Sequence, residues 1–533
     1  MLTAKDLIKY GYFPVEVPPP FQTIKLGEIL DKIALSQLEK FINKWQKKDS
    51  KNNIPESKCC NYSVPRVKNL RRLISIPNPL YQIILCYYIE KHWKEIRRHI
   101  KKSSLSISRP LFPISRKKKE SRSFDLVKHN LNYEQELALR STEFSYILKT
   151  DISRYYHTLY THSISWALHG KDKAKKNRND PSLYGHHLDK WVRKTRDGQT
   201  LGIPIGPDSS IIISEIIATS IDIELKKQMG NDLHGIRIID DYLLFFKERH
   251  ECEDALSNLH KIFKSYELEM NPTKIKIFEL PYVLEPQWKS DIRQFHFRNP
   301  KRSSPSKKVI MQKTDLINYF SRVNAYCRLF PDDNIIKYSM KRFHNKKIFN
   351  NNIPLFESLL LKSTLIQSSS IPDVTAILLR NKKRVYKDKN ERINRTISEL
   401  IRIHCKYSND FEIAWALWLA KELNIEIEKN VYDSLSKIDN PIVVLLILDL
   451  RNKELISDEI NDAVWKKFLV KEQLYDDHWL LAYEALKKEW LPVSDDYIED
   501  DPFFKELKEN DVSFYDPTIS EILTIPEPAI SGS

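Results

Sequence analysis

Apolar residues recur along this chain in two rhythms, and the rhythm changes near residue 310. Before that point, short apolar runs bounded by turn residues alternate with helical spacing. "NLRRLISIP" (69–77) predicts a strand, and "PLYQIILCYYIEKHWKEIRRHI" (79–100) one long helix with Pro79 at its start. "FSYILKTDISRYY" (144–156) predicts a buried strand running into a helix. The loop "DGQTLGIPIGP" (197–207) opens the helix "DSSIIISEIIATSIDIELKKQM" (208–229), with Asp208 or Ser209 as its cap. The stretch "GIRIIDDYLLFF" (235–246) has the alternation of a buried hairpin, a helix follows at about 250–266, and "NPTKIKIFELP" (271–281) predicts another strand. From about 310 to 490, segments such as "FEIAWALWLAKELNI" and "DDHWLLAYEALKKEWL" repeat at helical spacing with almost no strand pattern. At the N-terminus, a short helix, the extended "VPPPF" and a second helix from Leu26 to Trp45 are expected.

The mixed front half implies an α+β domain with a mostly antiparallel sheet. The back half implies an all-α, helical-repeat (HEAT-like) domain. The expected divisions are an N-terminal extension (1–64), the α+β domain (65–300), the helical domain (301–495) and an acidic, loosely ordered tail (496–533). Only ten glycines occur in 533 residues, which favours long helices over a turn-rich all-β fold.

Charge sharpens the division. Residues 1–350 hold 63 Lys and Arg against 38 Asp and Glu, a net +25; residues 351–533 hold 23 against 33, a net −10. A basic front half is suited to a polyanion. Basic segments at 101–123 and 171–178, both expected as loops, are the candidate nucleic-acid contacts, with solvated loops as the alternative. The six cysteines show no CxxC or zinc spacing, in keeping with reduced thiols in the cytoplasm. The N-terminal segment lacks an apolar signal core, and the longest apolar run, "PIVVLLIL", is shorter than the ~20 residues of a membrane span.

Two adjacent acids, Asp240 and Asp241, interrupt the apolar hairpin, and no lysine or arginine nearby is their obvious partner. A buried carboxylate is costly unless paired or metal-bound. A tight turn with two exposed acids is the competing reading. The strand "YILKTD" also ends on an acid, Asp151. If the strands 146–151 and 236–240 are sheet neighbours, Asp151 and Asp240 converge at one edge with Asp241 beside them and suit Mg²⁺ or Mn²⁺, which takes carboxylates together with substrate phosphate oxygens.

The order of blocks carries more than any one of them. "TDISRYY", "GIPIGPDSS", "IIDD" and "MNPTKIKI" resemble, in sequence order, four blocks of reverse transcriptase fingers and palm. "LYTHSISWALHGK" and the helical tail resemble the abortive-infection (Abi) and related unknown-group reverse transcriptases of bacterial antiphage defence. The resemblance covers about residues 65–490. It implies a metal-dependent DNA polymerase using dNTPs and nucleic acid: a DNA product, with a non-coding RNA as one template option. It further implies a homo-oligomer, a partner protein from the same defence locus, and protein-primed or otherwise non-standard synthesis. Asp151 and Asp240 would hold metal with the Ile152 carbonyl, and Asp241 would complete the acidic cluster. Tyr156 would be the steric gate against ribonucleotides, Arg71 and Arg72 would grip the triphosphate, and Lys274 would protonate the leaving pyrophosphate. Pro204 and Gly206 would let backbone lie close to the incoming base pair. Tyr10 and Tyr12 are candidate priming hydroxyls. Two positions depart from the usual pattern: Ile205 stands where a glutamine is usual, and Ile238 where a tyrosine is usual. Neither can hydrogen-bond nucleic acid, which favours unusual priming or templating. The alternatives are a non-catalytic RNA- or protein-binding scaffold on a polymerase fold, and a mobile-element reverse transcriptase.

Overall fold

A computed structural model describes residues 2–30, 56–66, 70–110, 112–113, 122–125, 133–178, 180–230, 233–298, 303–344, 346–385, 391–493 and 495–520. The expected helix to Trp45 is seen as Ile24–Ile29, and residues 31–45 lie outside the described residues, as do 111 and 114–121 of the basic segment 101–123.

A four-stranded antiparallel sheet lies at the centre of the front half. Its strands are β5 (Tyr146–Asp151), β6 (His234–Ile238), β7 (Asp241–Phe246) and β8 (Lys276–Glu279), in the order β6-β7-β5-β8. Side chains alternate between the two faces of a strand, and here both faces are covered. Leu148, Tyr242, Leu244 and Phe246 enter the main core, while Ile147, Ile236, Ile238, Leu243 and Phe245 form a second, smaller cluster. That double coverage is why "YLLFF" (242–246) is apolar without a break.

Against the main-core face runs the helix Asp208–Met229, buried nearly all round. Asp208 does not cap it: Pro207 is the N-cap, and the Asp208 carboxylate instead accepts from Arg122 Nη1 (2.7 Å), Ser123 N (2.9 Å) and Ser123 Oγ (2.7 Å). The N-terminal helix Ala4–Gly11 packs here, because only a residue without a Cβ fits beside Asp208: at Gly11 a Cβ would lie 2.5 Å from its Oδ2. The long helix expected over 79–100 is two, Pro79–Lys91 and Trp93–Ile100, divided at His92. The segment 171–185 is not a loop throughout, since Lys171–Lys176 is helical.

A short hairpin pairs β3 (Phe112–Pro113) with β4 (Phe124–Asp125), and a longer one of β1 (Cys60–Pro65) and β2 (Arg71–Ile76), which begins before residue 65, joins this half to the helices beyond 310. Asp410 Oδ2 accepts from Ser63 N (2.9 Å), and Trp479 Nε1 donates to the Ile76 carbonyl (3.3 Å). The helical half is as expected in class, but its described helices run from 25 residues in Pro305–Leu329 to 4 in Tyr432–Leu435 and show no fixed repeat. "PIVVLLIL" belongs to the helix Pro441–Asn452, buried from Pro441 through Leu450, where the buried Asp449 pairs with Lys421 at 2.6 Å. Among the described residues no helix is long and apolar enough to cross a membrane.

In the described part of the tail, up to Ser520, the expected loose order is not seen. Pro502–Glu509 is helical, and Val512, Phe514 and Tyr515 are completely buried. Apolar residues between the acids drive this, and main-chain bonds lock it to the N-terminus: Gln22 N donates to the Phe514 carbonyl (3.0 Å) and Asp516 N to that of Pro20 (2.8 Å). Tyr12, a candidate primer, is also enclosed, with its hydroxyl on the Pro77 carbonyl; Tyr10 is the exposed one of the pair.

Candidate active site

Asp151 ends β5 directly opposite Asp241, the first residue of β7. Facing residues on antiparallel strands have Cα atoms about 4.5–5.5 Å apart. The two carboxylates therefore share one sheet edge, and Asp240 sits in the two-residue link Ile239–Asp240 between β6 and β7. Asp151 and Asp241 are buried. Burial first, then the Asp241 charge and more weakly that of Asp151, push the Asp240 carboxyl up to about 7.

The link is strained. Ile239 has φ +56°, a left-handed conformation that costs a β-branched residue about 1–3 kcal/mol. Two bonds hold it: Ile239 N donates to Ser108 Oγ (2.9 Å), and Arg237 Nη1 donates to the Ile239 carbonyl (2.9 Å). The Asp240 carbonyl accepts from Ile152 N (3.3 Å). Arg237 is the cation that inspection of the sequence passes over, three residues from Asp240. It lies on the opposite face of the sheet from Asp241, completely buried, with its fork on Glu215 (2.7 and 3.0 Å) and its Nε on Asp222 (2.9 Å). It serves the turn rather than the acids.

Lys274 is the partner of the acids. It occupies the 3-10 turn Pro272–Lys274 before β8, not the strand itself, and this turn is capped by Asn271. Its Nζ lies 2.5 Å from Asp151 Oδ2 and 3.8 Å from Asp241 Oδ1. Burial works against its charge, but Asp151 and its neighbours hold the ammonium above its usual range. Asp151 Oδ1 remains buried without a hydrogen-bond partner.

Arg71 and Arg72 are separated by strand alternation. Arg71 points to the helical half, where Glu412 takes both Nη atoms (2.9 and 2.8 Å) and Ser63 Oγ accepts from Nε (2.6 Å). Arg71, expected to grip a triphosphate, thus has its guanidinium engaged by protein partners. Arg72 instead neighbours Arg66, a residue sequence reading missed. Desolvation and then the Arg72 charge lower the Arg66 pKa, while Asp240, Asp151 and Asp241 oppose the shift, which places this arginine within the field of the acids. Its position at the turn of the hairpin carried no pattern to mark it.

Tyr156 also lies in the field of Asp240, its hydroxyl 3.1 Å from Ser214 Oγ, with burial raising its pKa. The loop 197–207 is bound on both sides: Ile203 N donates to the Tyr156 carbonyl (2.8 Å), and Ser75 N to that of Ile205 (2.8 Å). Gly206, at φ +137°, lies against β2, where a Cβ would be 3.0 Å from Ile74 Cγ2, so its close approach is to protein. Pro204 is buried in the same loop.

Among the described residues no three His, Cys, Asp or Glu side chains are arranged to enclose a metal ion by themselves. The donors present still fit a hard cation that shares its shell with substrate: two facing carboxylates, a third in the adjoining turn, and the orphaned Asp151 oxygen.

Residues 47–304 match the family described as reverse transcriptase (RNA-dependent DNA polymerase). Solved structures with some similarity include apo telomerase from Candida tropicalis, with 11% identity over 78% of this chain and 72% of that chain and a TM-score of 0.33. Telomerase from Candida albicans, in complex with a fragment of telomeric RNA, has 13% identity over 68% and 70% and a TM-score of 0.27. Likeness at that level carries no weight for function. No curated protein matches. The chain carries a reverse transcriptase domain.

Proposed function

We propose that this reverse transcriptase domain is an active, divalent-cation-dependent DNA polymerase. The observation that carries the reading is the register pairing of Asp151 with Asp241 beside the strained Asp240 turn. Strain at a turn that presents acids is kept where geometry matters more than stability. Asp151, Asp240 and Asp241 would hold Mg²⁺ or Mn²⁺. When bound, such an ion stabilises the charge that develops on a transferred phosphoryl group. The chain's own residues do the rest. Arg72 and Arg66 receive the triphosphate of a dNTP, for which a guanidinium fork is suited. Tyr156, fixed by Ser214, stands as the barrier to a ribose 2′-hydroxyl. Lys274 holds Asp151 in position and is the nearest ammonium to a departing pyrophosphate.

Bacterial antiphage defence, with an RNA or non-standard template and unusual priming, is the setting we propose from the sequence blocks; Ile205 and Ile238 support the second part, since neither can bond a primer–template duplex. Purified protein with Mg²⁺ and labelled dNTPs, with and without an RNA template, is the test. Asp240→Asn should abolish incorporation and, in cells, phage protection. Full protection by a variant that incorporates nothing would transfer the function to a binding scaffold.

A further inference from the structure

A second site lies outside the acidic turn. The segment Tyr160–Asp180 and the helix Tyr184–Lys194 enclose a cavity of about 600 Å³, within the range of about 300–1,000 Å³ for small-molecule pockets. We propose that this cavity binds a nucleotide through its phosphates, independently of the polymerase reading.

Four cations line it: Lys175, Arg178, Lys190 and Arg193. Arg193 is paired with Asp189 at 3.1 Å. Among the described residues, Lys175, Arg178 and Lys190 have no carboxylate at ion-pair distance. The two acids of the wall are already engaged. Asp189 also binds His162 Nδ1 (2.6 Å), and Asp180 accepts from Ser182 N (2.8 Å). The uncompensated charge is therefore positive and faces the cavity. Burial, followed by the charges of Lys194 and Arg193, lowers the Lys190 pKa, a stress that a bound anion would relieve.

The remaining wall suits a base. Trp166 lies beside Tyr160, ring centroids 5.4 Å apart, and two ammonium groups flank its ring: Lys171 Nζ at 4.2 Å and Lys175 Nζ at 5.3 Å. Aromatic faces next to cations are the elements of base stacking with phosphate contact. Ser165, only 1% exposed, belongs to the same wall.

The experiment uses the full-length protein with EDTA, which removes the cation that triphosphate binding at the carboxylates would need. Fluorescence anisotropy of mant-ATP should show saturable binding. Arg178→Ala and Lys190→Gln should each weaken it about tenfold, the loss of one charged hydrogen bond, and Asp240→Asn should leave it unchanged. Arg178 is exposed and Lys190 half-buried, and circular dichroism verifies the folding of both variants. Competition then separates the sources of the phosphate. A short 5′-triphosphorylated RNA that competes better than ATP assigns the pocket to a strand end; ATP competing equally or better assigns it to free nucleotide. Three results would overturn the proposal: no saturable binding up to millimolar mant-ATP, loss in Asp240→Asn with retention in both pocket variants, or equal competition by the same RNA bearing a 5′-hydroxyl. Failure of polymerase assays leaves this measurement unaffected.

Discussion

Replacing Arg237 with alanine isolates what holds the acidic turn in place. The guanidinium is completely buried between Glu215 and Asp222, which are 2% and 3% exposed. In the Arg237→Ala protein both carboxylates stay buried; Asp222 retains Ser103 Oγ, while Glu215 loses both of its bonds to the fork. Removing one partner of a buried ion pair costs about 3–5 kcal/mol, because the other charge stays in a low-dielectric interior. Folding free energies are about 5–15 kcal/mol, so the variant should sit near the edge of stability. Urea unfolding followed by circular dichroism should show the midpoint fall accordingly. A triple variant, Arg237→Met with Glu215→Leu and Asp222→Leu, removes all the buried charge and should recover most of the stability. It cannot restore the bond to the Ile239 carbonyl, so the φ +56° turn is released and dNTP incorporation should remain impaired. A loss below about 1 kcal/mol in the single variant would refute the buried-charge argument. Full incorporation by the triple variant would refute the link between Arg237 and the turn.

Other residues offer separate tests. Arg71→Ala should cost about 2 kcal/mol in urea unfolding, since it strips charged hydrogen bonds from Glu412, which is 2% exposed at its side chain, whereas Arg72→Ala should raise the KM for dNTPs at unchanged stability. Tyr156→Ala should increase ribonucleotide relative to deoxyribonucleotide incorporation, and an unaltered ratio would remove it as the sugar gate. Burial pushes the Asp410 carboxyl up to about 7, against the opposing effects of Ser63 N and Arg71. A raised carboxyl pKa means that the native state binds the proton more tightly than the unfolded chain. Its contribution is full below the unfolded pKa near 4 and is lost as pH rises through about 7. Asp410→Asn should therefore gain on the parent protein between pH 4 and 7 in urea midpoints, and a difference independent of pH would refute the shift.

Period and block order alone were sufficient for the class of each half, the strand end at Asp151, and the reverse transcriptase domain that the family match identifies; that Asp241 and not Asp240 faces Asp151 was decided by the strand order, in which β7 and not β6 adjoins β5. The former are local properties: the rhythm of burial and the cost of a carboxylate inside an apolar strand are both visible over a few residues. Partners across long separations were not. Arg71 and Arg72 are adjacent in the chain, yet strand alternation sends Arg71 to Glu412, 341 positions away, and leaves Arg72 with Arg66. The described part of the tail, up to Ser520, is ordered despite its acidic composition because Phe514 and Tyr515 find a core built partly from residues before 30. Lys274 reaches Asp151 only because β8 pairs with β5. Charge and burial acquire a meaning only from what stands opposite, and in this chain the opposite residue is supplied by topology, which no short window of sequence contains.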